Sequence, residues 1–214
     1  MAVRRYLPLV LVVIGVLYTF RGFRGCPTGG VKVAPVALGA EPVQEELEKP
    51  EAVTIERDGK TFHIQKTHHY RVVGEVLSAS TYSLAFTNEF FDVDIGLAWG
   101  DHVPSLKEKY TFDQDHRWLF WRSDSPVSEA DRLDVTTHVG NQHIIPAEGH
   151  SAIDRAVRWA RKGDLVAIEG YLVTILDSAW QPLAHSSTSR EDTGGGACEI
   201  VWVDTFQNGN TIWR

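Results

Sequence analysis

The feature that most restricts this chain is a run of fifteen uncharged residues, Tyr6 to Phe20, fenced by Arg4 and Arg5 before it and by Arg21 and Arg24 after it. A spanning helix needs about 20 apolar residues, and Val3 and Phe23 extend the run while the arginines reach toward the lipid surface. The residues that follow, Arg-Gly-Phe-Arg-Gly-Cys, make a poor cleavage site. The favoured expectation is therefore an uncleaved transmembrane anchor over residues 1–25. A cleaved signal peptide and a buried core helix stay open as alternatives. Arginines on both sides leave the orientation weakly set. The expected address is the inner membrane, single-pass, with the remainder on the extracytoplasmic, periplasmic side.

Residues 26–51 hold four of the nine prolines and five glutamates, with no aromatic residue. They read as an extended linker, with one helical turn admissible over 44–49. The domain then spans 52–214. The chain carries a net charge of -7. Nucleic-acid binding draws on clustered Lys and Arg against phosphates, so no nucleic-acid partner is expected.

The domain pattern is mainly β. Val53–Glu56 and Thr61–Ile64 flank Asp58-Gly59, a dipeptide suited to a tight hairpin. Tyr70–Leu77, Asp92–Trp99, His143–Pro146 and Cys198–Asp204 read as further strands, and Arg117–Arg122 as a buried aromatic one. One amphipathic helix is expected over about 151–162. Ser151 and Asp154 would form its capping box, and Ile153, Ala156, Val157 and Ala160 its apolar face. The long strand over 163–176 carries Gly170 at its middle, as at a barrel corner. Helix, Gly-Asp turn and bent strand resemble a small Greek-key barrel of the OB type, a likeness that bears on fold class alone.

Chemistry concentrates in residues 180–199. Arg190 and the backbone of Gly194, Gly195 and Gly196, with Ser187, are candidates for holding an anion or a carboxylate. The competing reading is a solvated loop closed by Ser and Thr turns. Asp192-Thr-Gly194 matches the tripeptide of aspartic proteases, but no second copy exists and the residues leading in are polar. Cys198 is a nucleophile candidate with His143 or His185 as base, although a cysteine opening an apolar strand is commonly structural. A Cys26–Cys198 disulfide is admissible in an oxidising compartment.

Nine histidines are present, without a His-Glu-x-x-His helix or a Cys-x-x-Cys pair. His138 and His143 are the metal candidates, but a five-residue spacing puts them on opposite faces of a plain strand. Among seven tryptophans, Trp118, Trp121 and Trp180 are interface candidates. No phosphate loop, dinucleotide fingerprint or Gly-x-Ser-x-Gly elbow occurs, so no cofactor is expected.

Asp94-Ile-Gly-Leu-Ala-Trp-Gly100, His143–Ala147, Gly163-Asp-x-Val with Glu169–Val173, and the Ser186–Glu199 segment together resemble a family of uncharacterised bacterial membrane-anchored proteins. That resemblance implies an anchor-plus-domain layout and lends no residue a reaction. Three functions stand as expectations. The leading one is a non-enzymatic module docking on another membrane protein or envelope component, homo-oligomers included. The others are an envelope hydrolase or transferase using His143, Arg190, Asp192 and Cys198, and a metal- or small-ligand-binding domain.

Overall fold

The computed structural model describes residues 27–39, 41–82, 90–91, 93–147, 150–189 and 198–214. The expected anchor and Cys26 lie outside these, as do Arg190, Asp192, Gly194, Gly195 and Gly196. No helix among the described residues is long and apolar enough to cross a membrane.

The fold is mainly β. Its strands are β1 (Val31–Lys32), β2 (Val43–Arg57), β3 (Lys60–Thr81), β4 (Val93–Ala98), β5 (Thr111–Asp115), β6 (Trp118–Arg122), β7 (Val139–Pro146), β8 (Leu165–Leu176), β9 (Pro182–His185), β10 (Glu199–Asn208) and β11 (Thr211–Trp213). The described helices are α1 (Val103–Lys109), α2 (Glu129–His138) and α3 (Ser151–Trp159).

Five strands bond in a ring. β3 pairs with β4, β4 with β7, β7 with β10, β10 with β8, and β8 returns to β3. All of these pairings are antiparallel except β7 with β10. Inward residues of every ring strand meet in one cluster, among them Val72, Ile95, Ile144, Ile168 and Val201. Ile153, Ala156 and Val157 of α3 join that cluster, which is why the helix needs its apolar stripe. Gly170 lies where β8 pairs on both sides, opposite Tyr70 and Val203. A Cβ there would collide with the Trp202 carbonyl oxygen, so the close approach excludes any side chain.

The Asp58-Gly59 hairpin forms as expected, with φ of 51° and 72° at its two turn residues. Other expectations need correction. From Val43 the Pro- and Glu-rich stretch is strand, not helix: β2 runs antiparallel to β3, with Glu45 opposite His69 and Glu46 opposite His68. The register shifts between Glu46 and Glu51, around Pro50, which has no N–H to give a ladder. Helix α3 ends at Trp159, short of 162, and its N-cap is His150 without a side-chain bond. Asp154 therefore does not complete a capping box with Ser151 and instead accepts from Arg158 Nε at 2.8 Å.

Two helices beyond the expected one are present. α2 begins at a capping box of Ser128 and Asp131. Those two bonds to Ser128, more than the Lys109 ammonium, hold the Asp131 carboxyl down to about 2. The segment lacks an apolar stripe, since Val135 is its one buried residue, so its periodicity gives no helix signal. Nor is the aromatic strand β6 buried on both faces: Trp118 is 44% and Phe120 50% exposed, while Leu119 and Trp121 turn inward.

A buried Asp-His-Cys cluster beneath a hairpin

The β4–β7 pairing sets Asp94 opposite His143 and Gly96 opposite Asn141. Strand alternation points these four away from the ring interior, where Ile95 and Ile144 are packed. That outer face would meet water were it not covered by the β5–β6 hairpin. Leu119 packs against Gly96 so closely that a Cβ there would lie 2.7 Å from Leu119 Cδ1. Gln114 Nε2 donates to Asn141 Oδ1.

The hairpin tip is unusual. His116 and Arg117 both have positive φ, 47° and 74°, in a two-residue turn without the glycine or asparagine that such turns favour. Arg117 offsets this conformational cost through its contacts. Its Nη1 donates to Asp94 Oδ1 at 3.0 Å and its Nη2 to the Phe91 carbonyl at 2.6 Å. Its backbone N–H donates to the Tyr82 hydroxyl at 3.2 Å, and its carbonyl accepts from Asn141 Nδ2 at 3.0 Å. The guanidinium also lies over the Tyr82 ring, 3.9 Å from its centroid.

Asp94 is fully buried and sits between two donors. His143 Nδ1 donates to the same Oδ1 at 2.8 Å. Phe91 stacks on the imidazole, with centroids 4.6 Å apart and planes 7° from parallel. Cys198 interacts with that imidazole too and is a free thiol, while Asn141 Nδ2 points at its sulfur from 3.7 Å. Burial pulls the His143 pKa down, but the bonds to Asp94 and Cys198 outweigh it and raise the value to about 9. Burial, aided by the Asp94 charge, pushes the Tyr82 hydroxyl up to about 12.

Of the residues singled out from sequence, His143 and Cys198 come together. Cys198 is placed partly by its neighbours: its carbonyl accepts from Ser187 N–H at 3.1 Å, and Ser186 Oγ accepts from Ile200 N–H at 3.1 Å. Ser187 Oγ bonds Ser189 locally, as in a side-chain-closed turn. His138 joins a different cluster, with His102 and Asp134. Trp121 is half-buried on the inner side of the hairpin, against Tyr110. Trp180 sits in a turn at φ 62°, stacked on His63 at 3.9 Å. His185 lies exposed on β9.

Asp94 and Arg117 are the members sequence reasoning missed. Asp94 stands in Val-Asp-Ile-Gly-Leu, where alternation assigns it to an outer face and hence to water. Its burial is created by a hairpin some twenty residues downstream. Comparison with known proteins finds no matching protein family, no matching curated protein and no matching solved structure.

Proposed function

We propose that this chain is a thiol-dependent hydrolase or acyl transferase, with Cys198 as nucleophile, His143 as proton carrier and Asp94 as the residue that orients the imidazole. The observation that carries the reading is the 2.8 Å bond from His143 Nδ1 to a fully buried Asp94, with Cys198 on the same ring. A nucleophile, a base and a group that fixes the base are the three parts such chemistry requires. Because Nδ1 is committed to Asp94, Nε2 is the nitrogen that exchanges a proton with the thiol. With the imidazolium already holding the proton, the sulfur attacks an acyl carbon as the thiolate. The imidazolium then protonates the departing amine or alcohol, leaving a thioester. Water or a second nucleophile releases the acyl group and restores the thiol. Asn141 Nδ2, already aimed at the sulfur, supplies a donor for negative charge there.

The test is covalent. Full-length protein incubated with p-nitrophenyl acetate should gain an acetyl group on Cys198, read by peptide mass mapping with Cys26 as internal reference. His143→Gln should slow acylation of Cys198 at least about 100-fold, the usual worth of a positioned base. Equal acylation of Cys198 in wild type and variant, or no acylation preferring Cys198 over Cys26, would overturn the assignment.

A docking role is favoured by a separate observation: Trp118 and Phe120 project together from the outer side of β6, both about half exposed. Isolated exposed aromatics are ordinary, whereas adjacent ones on one strand face suit an interface anchor. In that reading the domain is held outside the membrane by the anchor over residues 1–25 and presents this edge to a membrane or envelope protein. A Trp118→Ser, Phe120→Ser double variant that still recovers the same partners by crosslinking from whole cells would remove it. The ring closure, the parallel β7–β10 pair and the helix between β7 and β8 support an OB-type Greek-key barrel as its scaffold.

A further inference from the structure

A second carboxylate lies between two nitrogen donors on another part of the molecule. Asp134 and His138 are four residues apart on α2 and therefore share a helix face. His102 precedes α1 at its N-cap position, where its side chain makes no capping bond. It turns instead to Asp134: His102 Nδ1 lies 2.7 Å from Asp134 Oδ1, and His138 Nδ1 lies 3.0 Å from the same oxygen. The two imidazoles are stacked, 4.1 Å between centroids and 10° from parallel. One ligand atom from each of the three residues lies within 4.8 Å of the other two.

We propose that His102, Asp134 and His138 form a binding site for a first-row divalent metal ion, zinc foremost. Two imidazoles and one carboxylate are the donor set zinc takes in sites that keep a coordination position open. Zinc bonds of about 2.0–2.1 Å at tetrahedral angles separate neighbouring ligand atoms by roughly 3.3 Å. The two N···O separations, 2.7 and 3.0 Å, lie a few tenths of an ångström short of that, and the imidazoles must turn out of their parallel stack for both ring nitrogens to aim at one ion. His138 exchanges its bond to the Asp134 carbonyl, 2.9 Å away, for the metal. His102 is about half exposed, so the fourth position faces water.

The sheet braces one side of the site. β4 ends at Ala98, paired with Val139 at the start of β7, and Trp99 N–H donates to the His138 carbonyl at 3.1 Å. The last residue of α2 is thereby tied to Trp99, three residues before His102. Such preorganisation lowers the cost of binding. The cluster is separate from the Asp94–His143–Cys198 group, so its occupancy and the proposed thiol chemistry can fail independently.

Equilibrium dialysis of the full-length protein in mild detergent against zinc, followed by metal analysis, tests the site. One zinc per chain should be retained, and Asp134→Asn and His102→Ala should each weaken retention at least about tenfold. Cobalt in place of zinc should give a visible d–d spectrum without a sulfur charge-transfer band. Retention unaffected by both substitutions, a thiolate band in the cobalt form, or no zinc retained would each overturn the assignment.

Discussion

Asp94 and Asp134 occupy the same local motif in two different media. Each carboxylate accepts through a single oxygen from two cationic or imidazole donors: Arg117 and His143 around Asp94, His102 and His138 around Asp134. Asp94 is fully buried, whereas the Asp134 side chain is 21% exposed and its partner His102 52%. In the first case water is replaced by a hairpin, Phe91 and Tyr82, so each charge depends on the others for its solvation. In the second, water can take the place of any member. Covering, more than the identity of the partners, decides whether such a triad is locked or exchangeable.

Breaking the buried member gives the largest expected effect. Asp94→Asn strands Arg117 and His143 without their shared anion and should cost about 3–5 kcal/mol, measured by denaturant unfolding. It should also lower the His143 pKa, followed by imidazole resonances in an NMR titration. A variant as stable as the wild type would mean that water already reaches the cluster.

The pH dependence of stability sharpens the same contrast. The His143 pKa is raised in the folded state to about 9, above the ordinary value of 6.5. Its contribution is therefore complete below about pH 6.5 and is lost as pH rises toward and through 9. Unfolding free energy should fall over that window by on the order of 1–3 kcal/mol. His143→Gln should remove this slope, and a slope that survives the substitution would assign it to another group.

The exposed triad should respond weakly. Asp134→Asn without metal should change stability by about 0–1 kcal/mol in thermal or chemical melts. A loss as large as that of Asp94→Asn would show that exposure is a poor guide here. Smallest of all, Trp118→Ser alone, on the outer side of the covering hairpin, should shift unfolding by no more than about 0.5 kcal/mol, and Phe120→Ser alone by no more than the same. A greater loss would mean that these rings support the hairpin.

Local chemistry made part of this legible from sequence. Asp58-Gly59 specifies its hairpin because the turn needs positive φ at adjacent residues, and the apolar stripe of α3 is plain at helical spacing. Gly170 was readable as a special position in a long strand, expected as a barrel-corner bend, whereas the close approach of the Trp202 carbonyl that requires a glycine there is set by the neighbouring strand. The site was less legible. His143 and Cys198 stood out as reactive types, but the residue that joins them to a buried charge, Asp94, looked like any polar position on a strand's outer side. The His116–Arg117 turn carries no glycine to announce it, since its geometry is secured by contacts with Asp94, Phe91, Tyr82 and Asn141 from outside the turn. Likewise α2 is fixed by its capping box and by packing of Val135, neither of which produces a periodic signal. Tertiary coverage decides these features, and nearest-neighbour patterns do not encode it.

The placement of β10 between β7 and β8 has a temporal consequence. These flanking strands are both synthesised before it, yet neither can satisfy its facing backbone groups until residues 199–208 arrive. A nascent chain halted near residue 190 would expose two unzipped margins around an incompletely sealed interior. Completion of the protein is thus a wedge-insertion event, and the Cys198 thiol reaches its histidine in the same stroke that shuts the ring.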